Sequence, residues 1–200
     1  MADTEYSIQS STLRTVFLDR DGVLNRKLPE DQYVRSWSEF EPLSGVRESI
    51  ARLNQAHLHV IVVSNQRGIA RGFYTAEDVH CIHRALQDWL QSEGAHIDAF
   101  FFCPHDKQQC NCRKPLPGLF DQARARFPDI APESSMMIGD SLSDIQFGHC
   151  LGMRTIFLDG DPQLQKPDAI SARHLADLCF TSLPEATSAL LAHLPSPTQS

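Results

Sequence analysis

Nowhere in the 200-residue sequence do about 18 apolar residues follow one another, the length a helix needs to cross a bilayer. The residues from Met1 to Ser11 are polar and include two acids, so no secretory signal is expected either. Excess positive charge is also missing. Lys and Arg number 18 against 25 Asp and Glu, a net charge of −7, which argues against a nucleic-acid or membrane-surface partner because a phosphate backbone calls for a basic face. A small anionic substrate would need a local positive pocket instead. There is no internal repeat and no low-complexity tract. The expectation is a cytoplasmic protein, and in that reducing compartment its six cysteines are poor disulfide candidates.

What the sequence does hold is apolar content of 42%, enough for one compact core. A single domain is expected over residues 13–194, between a flexible leader at 1–12 and a flexible tail at 195–200, in a monomeric chain. Apolar runs at 16–18, 58–63, 97–103, 135–138 and 154–158, with a brief one at 178–180, read as strands. Helical patterns separate them. Ser44 is read as the cap of the first helix, and Thr75 with Asp78 three residues on is read as the start of a long one. Residues 25–41 are polar, with Tyr33, Trp37 and Phe40 spaced through them, and read as a small hairpin flap. Cys81, Cys150 and Cys179 read as core or half-buried thiols. The alternation implies an α/β, Rossmann-like, mostly parallel sheet with helices on both faces.

In such sheets ligands bind beyond the carboxyl ends of the strands. Four strand ends here run into chemically capable residues: Asp19 and Asp21, Ser64 and Asn65, Arg113 and Lys114, and Asp140 and Asp144. Asp19, the main-chain carbonyl of Asp21, and Asp140 are hard oxygen donors suited to Mg²⁺, with Asp144 as a further ligand or a neighbour of one. Bound Mg²⁺ and Lys114 would offset the charge that otherwise keeps a phosphate away from carboxylates. Asp19 could then attack phosphorus, Ser64 could hold a phosphoryl oxygen, and Asp21 could serve as acid and base. Arg20, between the two acids, is expected to point to the other side of an extended strand.

A second constellation is Cys103-x-His105-x₄-Cys110-x-Cys112. Three thiols and one imidazole suit a closed tetrahedral Zn²⁺ site, and four protein ligands leave no open position, so the role would be structural. It stands directly before Arg113 and Lys114, which it would aim.

FLDRDGVLN, VVSNQRGIARG, CPHDKQQCNCRKPLPG and IGDSLSD, in that order, resemble the motifs of the haloacid dehalogenase (HAD) phosphatases. More narrowly they resemble the branch holding the D-glycero-D-manno-heptose 1,7-bisphosphate 7-phosphatases and the histidinol-phosphatases. The resemblance implies a capless HAD-like fold, Asp19 as nucleophile, Asp21 as acid/base, and Ser64 and Lys114 on the phosphoryl group. It also implies Mg²⁺ at Asp19, Asp21 and Asp140, and substrate contacts at Asn65, Gln66 and Arg113. The activity implied is release of the 7-phosphate of a heptose bisphosphate, with histidinol phosphate or another small polyol phosphate as the alternative substrate. Three departures bear on this. The stretch between His105 and Cys110 is shorter than in many heptose enzymes, Ser141 stands where a lysine is common, and Arg67 stands where a small residue is usual. Arg67 is read either as a grip for a second phosphate or as a solvated charge. A reading of another class is a receiver-like signalling domain phosphorylated on Asp19. Asp21 and the cysteine cluster argue against it.

Overall fold

The computed structural model describes residues 13–165 and 167–193. The expected leader and tail lie outside those residues. Six strands form one parallel sheet: β1 (Thr15–Leu18), β2 (His59–Asn65), β3 (Ala99–Cys103), β4 (Ser135–Gly139), β5 (Arg154–Leu158) and β6 (Leu178–Phe180). Their order in space is β3-β2-β1-β4-β5-β6. The chain therefore starts in the middle, winds outward through β2 and β3, and then crosses back to lay β4 on the other side of β1. That reversal opens a crevice between the carboxyl ends of β1 and β4.

Six helices cover the sheet: α1 (Val46–Gln55), α2 (Ala76–Gln91), α3 (Gly118–Arg126), α4 (Leu142–Leu151), α5 (Ala169–Leu175) and α6 (Leu183–Ala192). The period-2 alternation of β1 decides which residue faces which layer. Val16 and Leu18 enter a core with Ile50 and Leu53 of α1, Leu86 of α2 and Leu190 of α6. Phe17 enters the opposite core with Leu119 and Phe120 of α3 and Phe147 of α4. A smaller third cluster joins Ile145 of α4 to Phe157 and Ala172 of α5. Both faces of β1 are thus sealed, as its unbroken apolar run requires.

The expected elements form within a few residues of their sequence-derived limits, and three features differ. Helix α1 is capped by Gly45 in the left-handed region rather than by Ser44. The segment 25–41 is not a hairpin. It holds a single 3₁₀ turn at Trp37–Glu39, and Asn25 bridges Pro42 to bring the segment back to its start. Trp37 and Phe40 stack with centroids 5.0 Å apart, and Phe40 is buried in the first core. Cys81, Cys150 and Cys179 are all exposed, each on the solvent side of its element. Thr75 and Asp78 do form a reciprocal capping box, with Asp78 N donating to Thr75 Oγ1 and Thr75 N donating to Asp78 Oδ2. No helix among the described residues is long and apolar enough to cross a membrane.

Candidate active site

Strand register brings the four chemically capable segments together. Leu18 pairs with Val62 and with Ile138, and Asn65 pairs with Cys103, so β1, β2, β3 and β4 end close to one level. Asp19 N still donates to Ile138 O at 3.0 Å, which anchors the first acid to the last turn of the ladder. Gly22 follows at φ +97°, a conformation an L side chain rarely adopts, and a Cβ there would meet the Asp140 carboxylate. The glycine of the first motif thus lets the chain turn away beneath the acid delivered by β4.

Carboxylate oxygens of Asp19, Asp140 and Asp144 lie within 4.8 Å of one another. Burial pushes Asp19 up to about 7, against the attraction of Lys114 and together with repulsion from Asp144, Asp140 and Asp21. Three hard-oxygen donors that repel one another fit a divalent cation such as Mg²⁺. Lys114 Nζ lies between two of them, 2.9 Å from Asp19 Oδ1 and 2.7 Å from Asp144 Oδ1, and also donates to Val63 O at 2.5 Å. Burial alone would lower its pKa, but Asp144 and Asp19 raise it on balance, so the buried ammonium stays charged. Asp144 is fixed from the other side by Ser141, whose N and Oγ both donate to Oδ2, at 3.1 and 2.6 Å. Ser141, one of the departures noted above, is therefore the hydroxyl that caps α4 and holds this acid.

Asp21 contributes no carboxylate to that group. Its side chain turns toward Arg20, whose Nη2 lies 2.9 Å from both oxygens, with Asn25 Nδ2 at 3.0 Å from Oδ1 and Gln66 Nε2 at 3.0 Å from Oδ2. Burial pushes Asp21 upward, but the Arg20 charge and these hydrogen bonds outweigh it and hold the carboxyl below its usual range. Arg20 is 1% exposed and meets the Asp21 carboxylate, so the expectation that it points to the side opposite the acids is corrected. The strand ends at Leu18, and parity along an extended chain does not carry through the turn that follows.

The residues expected to meet substrate divide. Ser64 is buried at the end of β2 and its Oγ accepts from Gln66 Nε2 at 2.7 Å. Asn65 Nδ2 donates to Lys114 O at 3.1 Å while Lys114 N donates to Asn65 Oδ1 at 3.0 Å, a reciprocal pair that holds the backbone bearing the lysine. Gln66 is 2% exposed, with its amide engaged by Asp21, Ser64 and Tyr74. Arg67 is partly exposed and paired: Nε and Nη2 grip both oxygens of Asp106, the residue after His105. Arg113 Nη1 donates to His105 O at 3.4 Å. Both arginines thus tie the cysteine-rich loop to the edge of the site.

Within that loop the four side chains converge. Cys103 Sγ lies 3.5 Å from Cys110 Sγ and 3.7 Å from His105 Nδ1, and Cys112 Sγ lies 3.3 Å from both Cys110 Sγ and His105 Nδ1. A tetrahedron with Zn–S bonds of about 2.3 Å has S–S edges of roughly 3.8 Å. The set fits such an ion with a few tenths of an ångström of expansion.

Lys27 is a site residue that the sequence reading missed. It comes from the irregular segment after β1 and its ammonium contacts Asp140 Oδ2. Asp140, Asp19 and Asp144 raise its pKa despite burial. A lysine is absent at position 141, and Lys27 brings its charge to the adjacent acid. Nothing in residues 25–41 signals this, because no period governs where such a side chain points. Lys27→Met is expected to tighten Mg²⁺ binding by about 3- to 10-fold in a calorimetric titration, since the ion then meets three carboxylates with one cation fewer beside them. Unchanged or weaker binding would contradict competition between the ammonium and the metal.

A family model described as HAD-hydrolase-like matches residues 111–186. The D-glycero-alpha-D-manno-heptose-1,7-bisphosphate 7-phosphatase of Mycobacterium tuberculosis is 47% identical over 135 residues, covering 67% of this chain and 70% of that one. The D-glycero-beta-D-manno-heptose-1,7-bisphosphate 7-phosphatase of Neisseria meningitidis is 38% identical, covering 67% of this chain and 71% of that one. Among solved structures, the D,D-heptose 1,7-bisphosphate phosphatase of B. bronchiseptica, complexed with magnesium and phosphate, superposes with a TM-score of 0.78. Its identity is 30%, and the match covers 90% of this chain and 99% of that one.

Proposed function

The chain belongs to the HAD-like phosphatases, and from that premise we propose that it is a Mg²⁺-dependent phosphomonoesterase that removes the 7-phosphate of D-glycero-D-manno-heptose 1,7-bisphosphate through an aspartyl-phosphate on Asp19. The observation that carries the chemistry is the pairing of Asp19 with the buried Lys114, in a cluster whose other acids are Asp140 and Asp144. Two relatives and one structural neighbour, all named for heptose 1,7-bisphosphates, support the specificity.

Asp19, Asp140 and the main-chain carbonyl of Asp21 would hold Mg²⁺, with Asp144 beside them. When bound, the ion neutralises the carboxylates and lets a phosphate dianion approach them. The Asp19 carboxylate attacks phosphorus in line, the bond from phosphorus to the C7 oxygen breaks, and Asp21, which Arg20 holds ionised until it takes up a proton from solvent as substrate binds, passes that proton to the departing oxygen. Lys114 and the Ser64 hydroxyl balance charge on the phosphoryl oxygens. Asp21, now ionised, takes a proton from water, whose oxygen attacks the same phosphorus and returns Asp19 as a free carboxylate. Asn65 serves this chemistry by holding the Lys114 backbone, and Gln66 by holding Asp21. Arg67 and Arg113 flank the pocket and shape the loop through which the rest of the sugar is recognised.

The test of specificity is kcat/KM measured side by side on the heptose 1,7-bisphosphate, histidinol phosphate and glycerol phosphate. Preference for the bisphosphate by about 100-fold or more is expected, close to the discrimination that a few added polar contacts give. Equal rates would remove the heptose assignment. The relative at 47% identity is named for the α anomer and that at 38% for the β anomer, so the α anomer is the first to test.

Zn²⁺ bound by Cys103, His105, Cys110 and Cys112 completes the proposal as a structural staple. The near-tetrahedral spacing of four ligands from one short loop supports it. Cys110→Ser is expected to lose the metal, seen as less than about 0.2 zinc per chain by elemental analysis, and to lower Tm by roughly 5 °C or more. Its kcat should fall as well as its KM rise, because the loop carries Lys114 directly after Arg113. Wild-type zinc content and Tm in that variant would rule the staple out.

A further inference from the structure

Tyr74 stands in the loop between β2 and α2 and has no place in the chemistry above, yet it is only 6% exposed. Its hydroxyl donates to Gln66 Oε1 at 2.7 Å. On the far side of that amide, Nε2 donates to Asp21 Oδ2 at 3.0 Å and to Ser64 Oγ at 2.7 Å. A side-chain amide has one acceptor end and two donor hydrogens, and a carboxylate only accepts. The arrangement satisfies every group in one orientation: hydroxyl to oxygen, and both amide hydrogens to Ser64 and Asp21. Reversing the amide would set its oxygen against the Asp21 carboxylate.

The ring is held in place independently of the hydroxyl. Tyr33 packs on it at 5.8 Å between centroids, and Gly68 lies beneath it, where a Cβ would come within 2.1 Å of the ring. The main chain of Gln66 is fixed as well, its N donating to Cys103 O at 2.8 Å. Both ends of the relay are therefore anchored, one in the β2 to α2 loop and the other at the site.

We propose that Tyr74 is a positioning residue for the Asp21 carboxylate and acts on it through the side-chain amide of Gln66. The proposal rests on the reading of Asp21 as the acid that protonates the leaving oxygen. With the amide locked, Oδ2 of Asp21 keeps the Gln66 donor beside that of Arg20, and the carboxyl group holds a defined orientation. Without the hydroxyl, the amide gains freedom to rotate or flip, and the carboxyl group is left to Arg20 and Asn25 alone, with a looser orientation.

Two substrates separate this from a merely structural role. In kcat/KM, which reports steps up to formation of the aspartyl-phosphate, an alkyl ester needs a proton on its leaving oxygen, whereas p-nitrophenyl phosphate releases a stable phenolate without one. Tyr74→Phe is expected to lower kcat/KM by about 10-fold on the heptose 1,7-bisphosphate and by less than about 2-fold on p-nitrophenyl phosphate, a fraction of the 10²–10⁴ that general acid catalysis supplies. Equal losses on the two substrates, or no loss on either, would overturn the relay. Asp21→Asn, measured alongside, should show the same substrate dependence on a larger scale. If it loses equally on both, the acid role of Asp21 fails, and this outcome is distinct from failure of the relay alone. Should Tyr74→Phe not fold, Gln66→Met carries the same comparison, because it breaks the relay at its centre and keeps the side-chain length.

Discussion

Asp19→Asn is expected to reduce turnover of the heptose bisphosphate by roughly 10³-fold or more, the scale on which removal of a covalent nucleophile acts. The amide keeps the shape of the carboxylate and can still accept from Lys114 Nζ, now 2.9 Å from Asp19 Oδ1, but its oxygen is not a nucleophile toward phosphorus. Binding of substrate in the presence of Mg²⁺ should remain measurable, since Asp140 and Asp144 stay. Stability of the metal-free protein should move the other way. Burial, with the neighbouring acids, raises the folded-state pKa of Asp19 from the ordinary 3.8 to about 7. A carboxyl whose folded pKa lies above its unfolded one opposes folding once it ionises. The penalty is absent below the unfolded pKa, grows as pH rises through that interval, and is complete above about 7. Asp19→Asn should therefore raise Tm above neutral pH and leave it unchanged near pH 3.8 or below, as a thermal melt series would read. Retained turnover would end the aspartyl-phosphate mechanism, and a lowered Tm across the range would contradict the electrostatic description of the cluster.

Lys114→Met should damage both properties together. The ammonium is the buried cation between Asp19 and Asp144, and its loss leaves two acids facing each other with Asp140 close by. Removing one partner of a buried ion pair costs about 3–5 kcal/mol. A drop in kcat of about 10²–10³-fold is expected in addition, the usual loss when one preorganised charge on a reacting oxyanion is removed. The destabilisation should be largest at neutral and alkaline pH and shrink as acid protonates the two carboxyls. Added Mg²⁺ should restore part of the lost Tm by supplying charge to the same acids, without restoring kcat. Lys114→Arg should not rescue turnover, because the planar guanidinium cannot reproduce three contacts converging on one nitrogen from Asp19, Asp144 and Val63 O. A variant with wild-type kcat would contradict the role of this cation.

Much of the site was legible before the structure because two strong regularities govern it. Alternation of apolar runs with helical patterns implies a parallel sheet, and a parallel sheet brings its carboxyl ends to one edge. Asp19, Ser64, Lys114 and Asp140 therefore fall together although as many as 121 positions separate the first from the last. The cysteine cluster was legible for another reason, its four donors being local within ten residues. What could not be read is where side chains point once the regular elements end. Arg20 lies two residues past the last strand position and turns into the interior. Lys27 reaches Asp140 from a segment with no period. Arg67 read as a phosphate grip or a solvated charge because its partner, Asp106, stands 39 residues away in an irregular loop. Asn65 and Gln66 looked like substrate contacts, and their amides are used instead on Lys114 and Asp21. In each case the direction is decided by tertiary hydrogen bonds, which sequence spacing does not encode.

The central claim, that this chain transfers one phosphoryl group from C7 of the heptose bisphosphate to Asp19 and then to water, is tested most directly by following the purified, Mg²⁺-loaded protein on that substrate by phosphorus NMR. The expected result is disappearance of the C7 ester resonance and growth of one equivalent of inorganic phosphate, with the anomeric phosphate intact. Release from C1, release of both phosphates, or no release at all would contradict it.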